Sequence, residues 1–347
     1  MTRRLILGVE SSCDETAAAV VGDDLVVRSN VVASQDALHA PYGGVVPEIA
    51  SRSHLGRVIP IIEGALDRAE IGAADLAGVA VTRGPGLVGA LLVGLQAAKA
   101  VAFAHHLPLV GVNHLEAHLM AVLLVDGEVD RPRSRPAFPF VGLLVSGGHT
   151  AIYLVRDWGD LKLIGETRDD AAGEAIDKFA RMAGLGYPGG PIVDTLSAAG
   201  NRAAWAFPRA LPRAPTEFSF SGLKTAVRTH IEHHGIPEGD AALADLCASV
   251  QEALVDVLVD KALHACASLT VPRLVICGGV AANSRLRALA SERGEAVGVE
   301  VHQPPRPLCT DNAAMIAGVG AMALAQGQAP SPGAGLDLNA AATLPIG

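Results

Sequence analysis

The sequence predicts an α/β fold that is duplicated, two lobes flanking a cleft. Three observations carry this. Three short segments rich in β-branched residues, followed by helices and buried strands, occur twice along the chain. A charged, Pro-rich stretch from Asp126 to Pro139 separates the two passages and reads as a surface connection. Turns rich in glycine or small polar residues stand at matching strand ends in both.

In the first passage, residues 5–9, 16–21 and 25–33 are predicted strands, antiparallel neighbours joined in part by the turn Gly22-Asp23-Asp24. A helix follows over about 47–70, then a buried strand over 78–82. Residues 86–106 form a nearly all-apolar helix, expected in the core with a contact surface as the alternative, and 109–112 another buried strand. Pro60 and Pro108 are expected to mark breaks or element ends. In the second passage, strands are predicted over 140–145, 151–155 and 161–166. Helices, a buried strand over 273–277, a Gly-Gly turn and a helix from about Asn283 complete it.

With 347 residues the chain is long enough for two cores, and 50% hydrophobic with 3% aromatic content means that Ala, Val and Leu build them. A net charge of −9 argues against a free-standing polyanion binder, so any nucleic acid must meet a local basic patch or be helped by a partner. Arg52, Arg57, Arg83 and Lys99 are the basic residues of the first half to test for such contact. Cys13, Cys247, Cys266, Cys277 and Cys309 form no C-x-x-C pair, which suits a reduced, cytosolic protein. Residues 5–9 are too short a run for a secretory leader, and no stretch is long and apolar enough for a bilayer.

His114-Leu115-Glu116-Ala117-His118 carries the sharpest chemical signal. Histidines four apart on a helix share one face and can reach one metal ion. The metalloprotease form of this spacing has glutamate directly after the first histidine, where this chain has Leu115. Cys309-Thr310-Asp311-Asn312, opening an Ala-rich helical stretch, offers a third ligand. A His-His-Asp set leaves positions free for substrate oxygens.

Three turns could hold phosphate: Glu10 to Thr16, Val145 to Thr150, and Cys277 to Asn283. Glycine lets backbone N–H groups approach an anion, and the third turn leads into a helix N-terminus. The run Asp169 to Lys178 places Asp170, Glu174 and Asp177 on one helical face. Tyr187 to Pro191 is a turn, and Ser219 to Lys224 reads as a helix cap.

These motifs together resemble the universal family of tRNA N6-adenosine threonylcarbamoyltransferases (TsaD), formerly called O-sialoglycoprotein endopeptidases. The resemblance runs from Leu7 to about Ala325. It rests on Gly8 to Thr16, the His114–His118 helix, Ser146 to Thr150, Asp169 to Lys178, Tyr187 to Pro191, Phe218 to Lys224, Gly278 to Asn283 and Thr310-Asp311-Asn312. It implies duplicated actin-like ATPase (ASKHA, RNase H-like) domains. An N-terminal lobe over 1–112, a metal-binding helix and connection over 113–137, a C-terminal lobe over 138–325 and a tail over 326–347 are expected.

The resemblance further implies a metal, iron favoured over zinc, held by His114, His118 and Asp311. It implies that Leu144, Val145, Ser146, Gly147, Gly148, Asp177, Gly190, Asp194 and Asn283 contact a nucleotide-like substrate, threonylcarbamoyl-adenylate. Asp14, Glu15 and His149 are the implied catalytic residues. The implied partners are tRNA, a smaller paralogous subunit, an ATPase subunit and a separate synthase that makes the adenylate. Rival readings are a metal-dependent endopeptidase, a phosphotransferase or chaperone-like ATPase, and a non-enzymatic scaffold. The first lacks a glutamate beside His114 and gives no reason for three phosphate-type turns.

Overall fold

A computed structural model of the chain describes residues 4–126 and 135–346. The expected surface connection falls largely on residues 127–134, outside the described residues. The chain forms two compact units, one of residues 1–135 and 307–347, the other of residues 136–306.

The first unit begins with β1 (Leu5–Glu10), β2 (Glu15–Gly22) and β3 (Val26–Ser34), antiparallel neighbours as expected. Then follow α1 (Asp36–His39), α2 (Pro47–Arg68), β4 (Leu76–Gly84), α3 (Val88–Ala104), β5 (Leu109–Asn113), α4 (His114–Met120) and β6 (Val125–Asp126). The sheet order is β5-β4-β1-β2-β3-β6, with β1, β4 and β5 parallel. One buried cluster joins Leu7, Val9 and Val81 of the sheet to Val58 and Ile62 of α2 and Leu95 and Ala98 of α3. Burial of these aliphatic side chains is the main force holding the layers together.

In the second unit, β7 (Phe140–Val145), β8 (Thr150–Asp157) and β9 (Asp160–Glu166) are again antiparallel neighbours. Next come α5 (Ala172–Met182), α6 (Gly189–Ser197), α7 (Ser221–His234), α8 (Asp240–Leu269), β10 (Arg273–Cys277), α9 (Ser284–Ala296) and β11 (Glu300–His302). The order β11-β10-β7-β8-β9 repeats the order β5-β4-β1-β2-β3, with the same parallel and antiparallel pairs. This repeated topology is the duplication that the sequence predicts.

The chain then returns to the first unit as α10 (Ala313–Ala325), which packs on β1, β2 and β4. Gly8 and Gly320 permit this approach. A Cβ on Gly8 would lie 2.3 Å from the Ala313 carbonyl oxygen, and one on Gly320 would lie 2.4 Å from Ala80 Cβ. The expected boundaries are corrected here: residues 307–325 belong with the first unit, not the C-terminal lobe, and residues 113–135 are part of the first unit as well. Residues 326–346 are no separate tail. Ala341 N–H donates to Arg83 O at 2.7 Å, and Gly86 N–H to Ala342 O at 3.2 Å, across the end of β4.

Two further expectations change. Pro60 does not break α2: it lies on the exposed face and the helix runs on to Arg68. Only one face of α3 is core. Ala90, Leu91, Leu95 and Ala98 are buried, while Phe103 is 74% exposed and Val88 and Leu92 also face outward. No described helix is long and apolar enough to cross a membrane.

Candidate functional site

Because β1, β4 and β5 are parallel neighbours, the segments that leave their C-terminal ends lie side by side. α4 starts directly after β5. Asn113 caps it, its Oδ1 accepting the N–H groups of Leu115 at 2.9 Å and Glu116 at 3.3 Å. The helix holds His114 and His118 one turn apart, buried, with ring centroids 4.6 Å apart and planes at 86°.

Asp311 arrives from the start of α10. Asn312 Oδ1 accepts Met315 N–H at 3.1 Å and its Nδ2 donates to Thr310 O at 2.8 Å, which fixes the turn. Asp311 Oδ1 then stands 3.1 Å from His118 Nε2 and 3.5 Å from His114 Nε2. Ligand atoms on a tetrahedral ion at about 2.0–2.2 Å lie about 3.3–3.6 Å from one another. The 3.5 Å spacing falls in that range and the 3.1 Å spacing just below it, so a small adjustment would seat one ion. The donor chemistry, two imidazoles and a carboxylate, suits iron or zinc alike. The three form a possible metal site within the first unit. Asp311 keeps 20% of its side chain accessible, which leaves a way in for an oxygen ligand.

Electrostatics favour a cation here. Burial disfavours a charged His114, but Asp311 and then Glu10 outweigh it and hold the ring well above its ordinary value. Burial pushes the Asp311 and Glu10 carboxyls up, yet the facing His114 draws both below their ordinary values. His118 is held below its ordinary value, mainly by burial.

The β1–β2 turn carries Asp14 and Glu15, which cluster with Asp36. Burial first, then Asp311 and Asp14, hold the Glu15 carboxyl well above the usual range. His54 of α2 pins this turn, Nε2 donating to Cys13 O at 3.0 Å and Nδ1 accepting from the Thr16 hydroxyl at 2.8 Å. Burial first, then Asp14 and Asp311, push the Cys13 thiol far up.

The remaining expected residues belong to the second unit. Leu144 and Val145 end β7, and the turn Ser146–His149 is closed by Ser146 N–H donating to His149 O at 2.8 Å and His149 N–H to Ser146 Oγ at 3.1 Å. Gly147 and Gly148 are exposed with open space where a Cβ would stand. The loop after β10 lies alongside, since Leu144 pairs with Cys277. Gly278, at φ +89°, lies so close that a Cβ would be 2.3 Å from Val145 O. Thus two of the three expected phosphate-type turns are brought together, and the third is in the first unit with Asp14 and Glu15.

Asp177 Oδ1 accepts Gly189 N–H at 2.8 Å, tying α5 to the turn before Gly190, which itself has open space. Asn283 caps α9 through Leu286 N–H at 2.9 Å and donates to Gln251 Oε1 at 2.7 Å. Asp194 accepts from the Ser284 hydroxyl at 2.7 Å and its N–H at 3.0 Å. Asn283 and Asp194 therefore hold the α9 start in place. Among the basic residues, Arg52 is exposed, Lys99 is half-buried, Arg57 donates to Ser34 O at 2.8 Å, and Arg83 Nε is buried without a partner among the described residues.

Sequence reasoning missed two connections. Ser219 and Ser221 do not cap α7 themselves; Asp169 does, accepting from Phe220 N–H at 2.7 Å and from both hydroxyls. Burial works against it, yet these bonds hold the Asp169 carboxyl below its usual range. Asp170 meanwhile bridges Lys178 and Lys224, each at 2.9 Å. The two motifs are one structure, and no local spacing announces a contact across some 50 residues. The other missed residue is Glu10, fully buried behind His114.

Comparison with known proteins gives one consistent result. The sequence profile described as TsaD, tRNA N6-adenosine threonylcarbamoyltransferase, matches residues 26–318. The tRNA N6-adenosine threonylcarbamoyltransferase of Anaeromyxobacter dehalogenans (strain 2CP-C) is 56% identical over 342 residues, 98% of each chain. Among solved structures, the Acidaminococcus fermentans (R)-2-hydroxyglutaryl-CoA dehydratase component A aligns with TM-score 0.53 at 15% identity, over 93% of this chain and 99% of that one. Full-length HypF, in a phosphate- and nucleotide-bound form, aligns with TM-score 0.59 at 13% identity, over 92% of this chain and 56% of that one. At such identities the two structures show the fold alone, the duplicated actin-like ATPase fold.

Proposed function

Since the chain belongs to the tRNA N6-adenosine threonylcarbamoyltransferase family, we propose that it transfers the threonylcarbamoyl group of L-threonylcarbamoyl-adenylate to N6 of adenosine 37 in tRNA, releasing AMP. The tRNAs are those reading codons that begin with adenine. The observation that carries this reading is 56% identity to such an enzyme over 98% of both chains.

The reaction needs help at both ends, because an exocyclic adenine amine is a weak nucleophile. His114, His118 and Asp311 would hold one divalent ion, iron or zinc. Bound there, it would supply Lewis-acid polarisation of a substrate oxygen. Backbone N–H groups of Ser146 to Gly148 and of Gly278 to Ala281 would offset charge on the phosphate. Leu144, Val145, Asp177 and Gly190 would shape that nucleotide site, with Asp194 and Asn283 fixing its second loop.

Asp14 and Glu15 would handle the amine. Either Asp14 or Glu15 would position the amine or take its proton. His149 would assist from the loop after β7. A base in an anticodon loop is already partly unpaired, so presenting it costs less than flipping from a duplex. Arg52 and Lys99 would meet tRNA phosphates. A smaller paralogous subunit and an ATPase subunit would act with this chain in the cytoplasm.

The test is transfer of labelled threonine from threonylcarbamoyl-adenylate to such a tRNA with partners present, followed by nucleoside analysis. Label on adenosine 37 with wild type, and none with the His114→Ala/His118→Ala variant, is the expected result. No label from wild type with active partners would reject the transferase assignment.

A further inference from the structure

Glu10 ends β1 with its side chain fully buried, and the charge has no Lys or Arg partner among the described residues. Its surroundings follow from strand register. Val9 pairs with Val81, so the next residues, Glu10 and Thr82, stand side by side near the C-terminal ends of neighbouring strands, and His114 follows the third strand beside them. Oε1 accepts Ser12 N–H at 2.5 Å, while Oε2 accepts the Thr82 hydroxyl at 2.5 Å and His114 Nδ1–H at 3.0 Å. A buried carboxylate without such donors would carry a desolvation penalty of several kcal/mol. Three strand ends thus assemble one acceptor behind one imidazole.

We propose that Glu10 is the positioning residue of the metal centre. By accepting from Nδ1 it fixes the His114 tautomer and ring angle, so that the Nε2 lone pair faces Asp311 Oδ1, and its charge strengthens that nitrogen as a donor. The inference rests on reading His114, His118 and Asp311 as the metal set. The effect is confined to one of the two histidines. Among the described residues, His118 Nδ1 is buried with no hydrogen-bond partner, so no acceptor stands behind that ring as Glu10 stands behind His114.

The experiment uses the full chain and zinc as the probe. Zinc affinity is measured by competition with a chromophoric chelator for wild type, Glu10→Gln, Glu10→Asp and Asp311→Ala. Long-range 1H–15N spectra of the zinc-loaded proteins report the histidine tautomers. Glu10→Gln is close in shape but offers an amide, and a 10–100-fold loss of zinc affinity is expected, the usual effect of removing such a partner. In Glu10→Asp, where the acceptor is withdrawn, the protected His114 Nδ1–H signal should weaken or shift, which a role in stability alone would not cause. Glu10→Asp keeps the buried charge but withdraws the oxygens by one methylene. It gives the same loss and serves if the glutamine variant does not fold. Wild-type affinity with an unchanged tautomer in either variant overturns the proposal. If instead Asp311→Ala binds zinc as tightly as wild type, the metal set itself is wrong and the proposal falls with it.

Discussion

Asn113→Ala is expected to loosen the metal centre without touching a ligand. Asn113 stands between the two parts that orient α4. Its Oδ1 caps the helix through Leu115 and Glu116, and its Nδ2 donates to the carbonyls of Leu344 at 3.0 Å and Pro345 at 3.3 Å. Losing an N-cap of this type costs about 1 kcal/mol, and losing the hydrogen bonding to the C-terminal segment about 1 kcal/mol more. A total near 2 kcal/mol should therefore appear in urea denaturation of the metal-free protein. α4 has only seven residues, and both histidines are on it. If the cap's share must be restored on binding, zinc affinity falls about fivefold, since 1.4 kcal/mol corresponds to tenfold. Asn113→Asp separates the two contributions, because it keeps the cap oxygen and loses the donor to the C-terminal segment. It should lose stability but keep most of the zinc affinity. Wild-type zinc affinity in Asn113→Ala, measured at equal folded fraction, would refute the claim that capping organises the site.

Other perturbations follow the same logic. Gly8→Ala puts a methyl 2.3 Å from the Ala313 carbonyl, so α10 must shift. A loss of about 1–3 kcal/mol in denaturant unfolding and weaker metal binding are expected, the latter because Asp311 precedes that helix. Glu15 has a raised folded-state pKa, so the unfolded chain ionises first and stability falls as pH rises from the ordinary glutamate range through the folded value. Glu15→Gln should remove that slope in metal-free protein and raise stability at neutral pH by about 0.5–2 kcal/mol, while transfer activity is lost. Asp169, with its pKa lowered, contributes in the opposite sense, above the unfolded value, and the contribution is lost as pH falls through the folded one. Asp169→Ala should speed hydrogen exchange of the Phe220 and Ser221 amides, with the rest of the second unit unchanged.

What the sequence disclosed follows the range of each interaction. His114 and His118 were legible because a helix turn places them together whatever the rest of the fold does. The strands were legible from alternation and turn residues, and their repetition revealed the duplication. Glu10 was visible as an acid closing an apolar strand, but its role depends on the register of three strands, β1, β4 and β5, drawn from over 100 residues. The Asp169 cap on α7 is likewise non-local. The lobe boundary was misread because α10 continues the chain of the second unit yet buries its apolar face on the first sheet. Pro60 follows a local rule for breaks, yet α2 runs through it on its exposed face.

The most direct test of the central claim is single-turnover transfer by apoprotein titrated with iron or zinc, with partners, tRNA and threonylcarbamoyl-adenylate in excess. Transfer is expected to rise with added metal and saturate at one equivalent, and Asp311→Ala to show no rise. Full transfer by metal-free protein, unaffected by added metal, would contradict the claim.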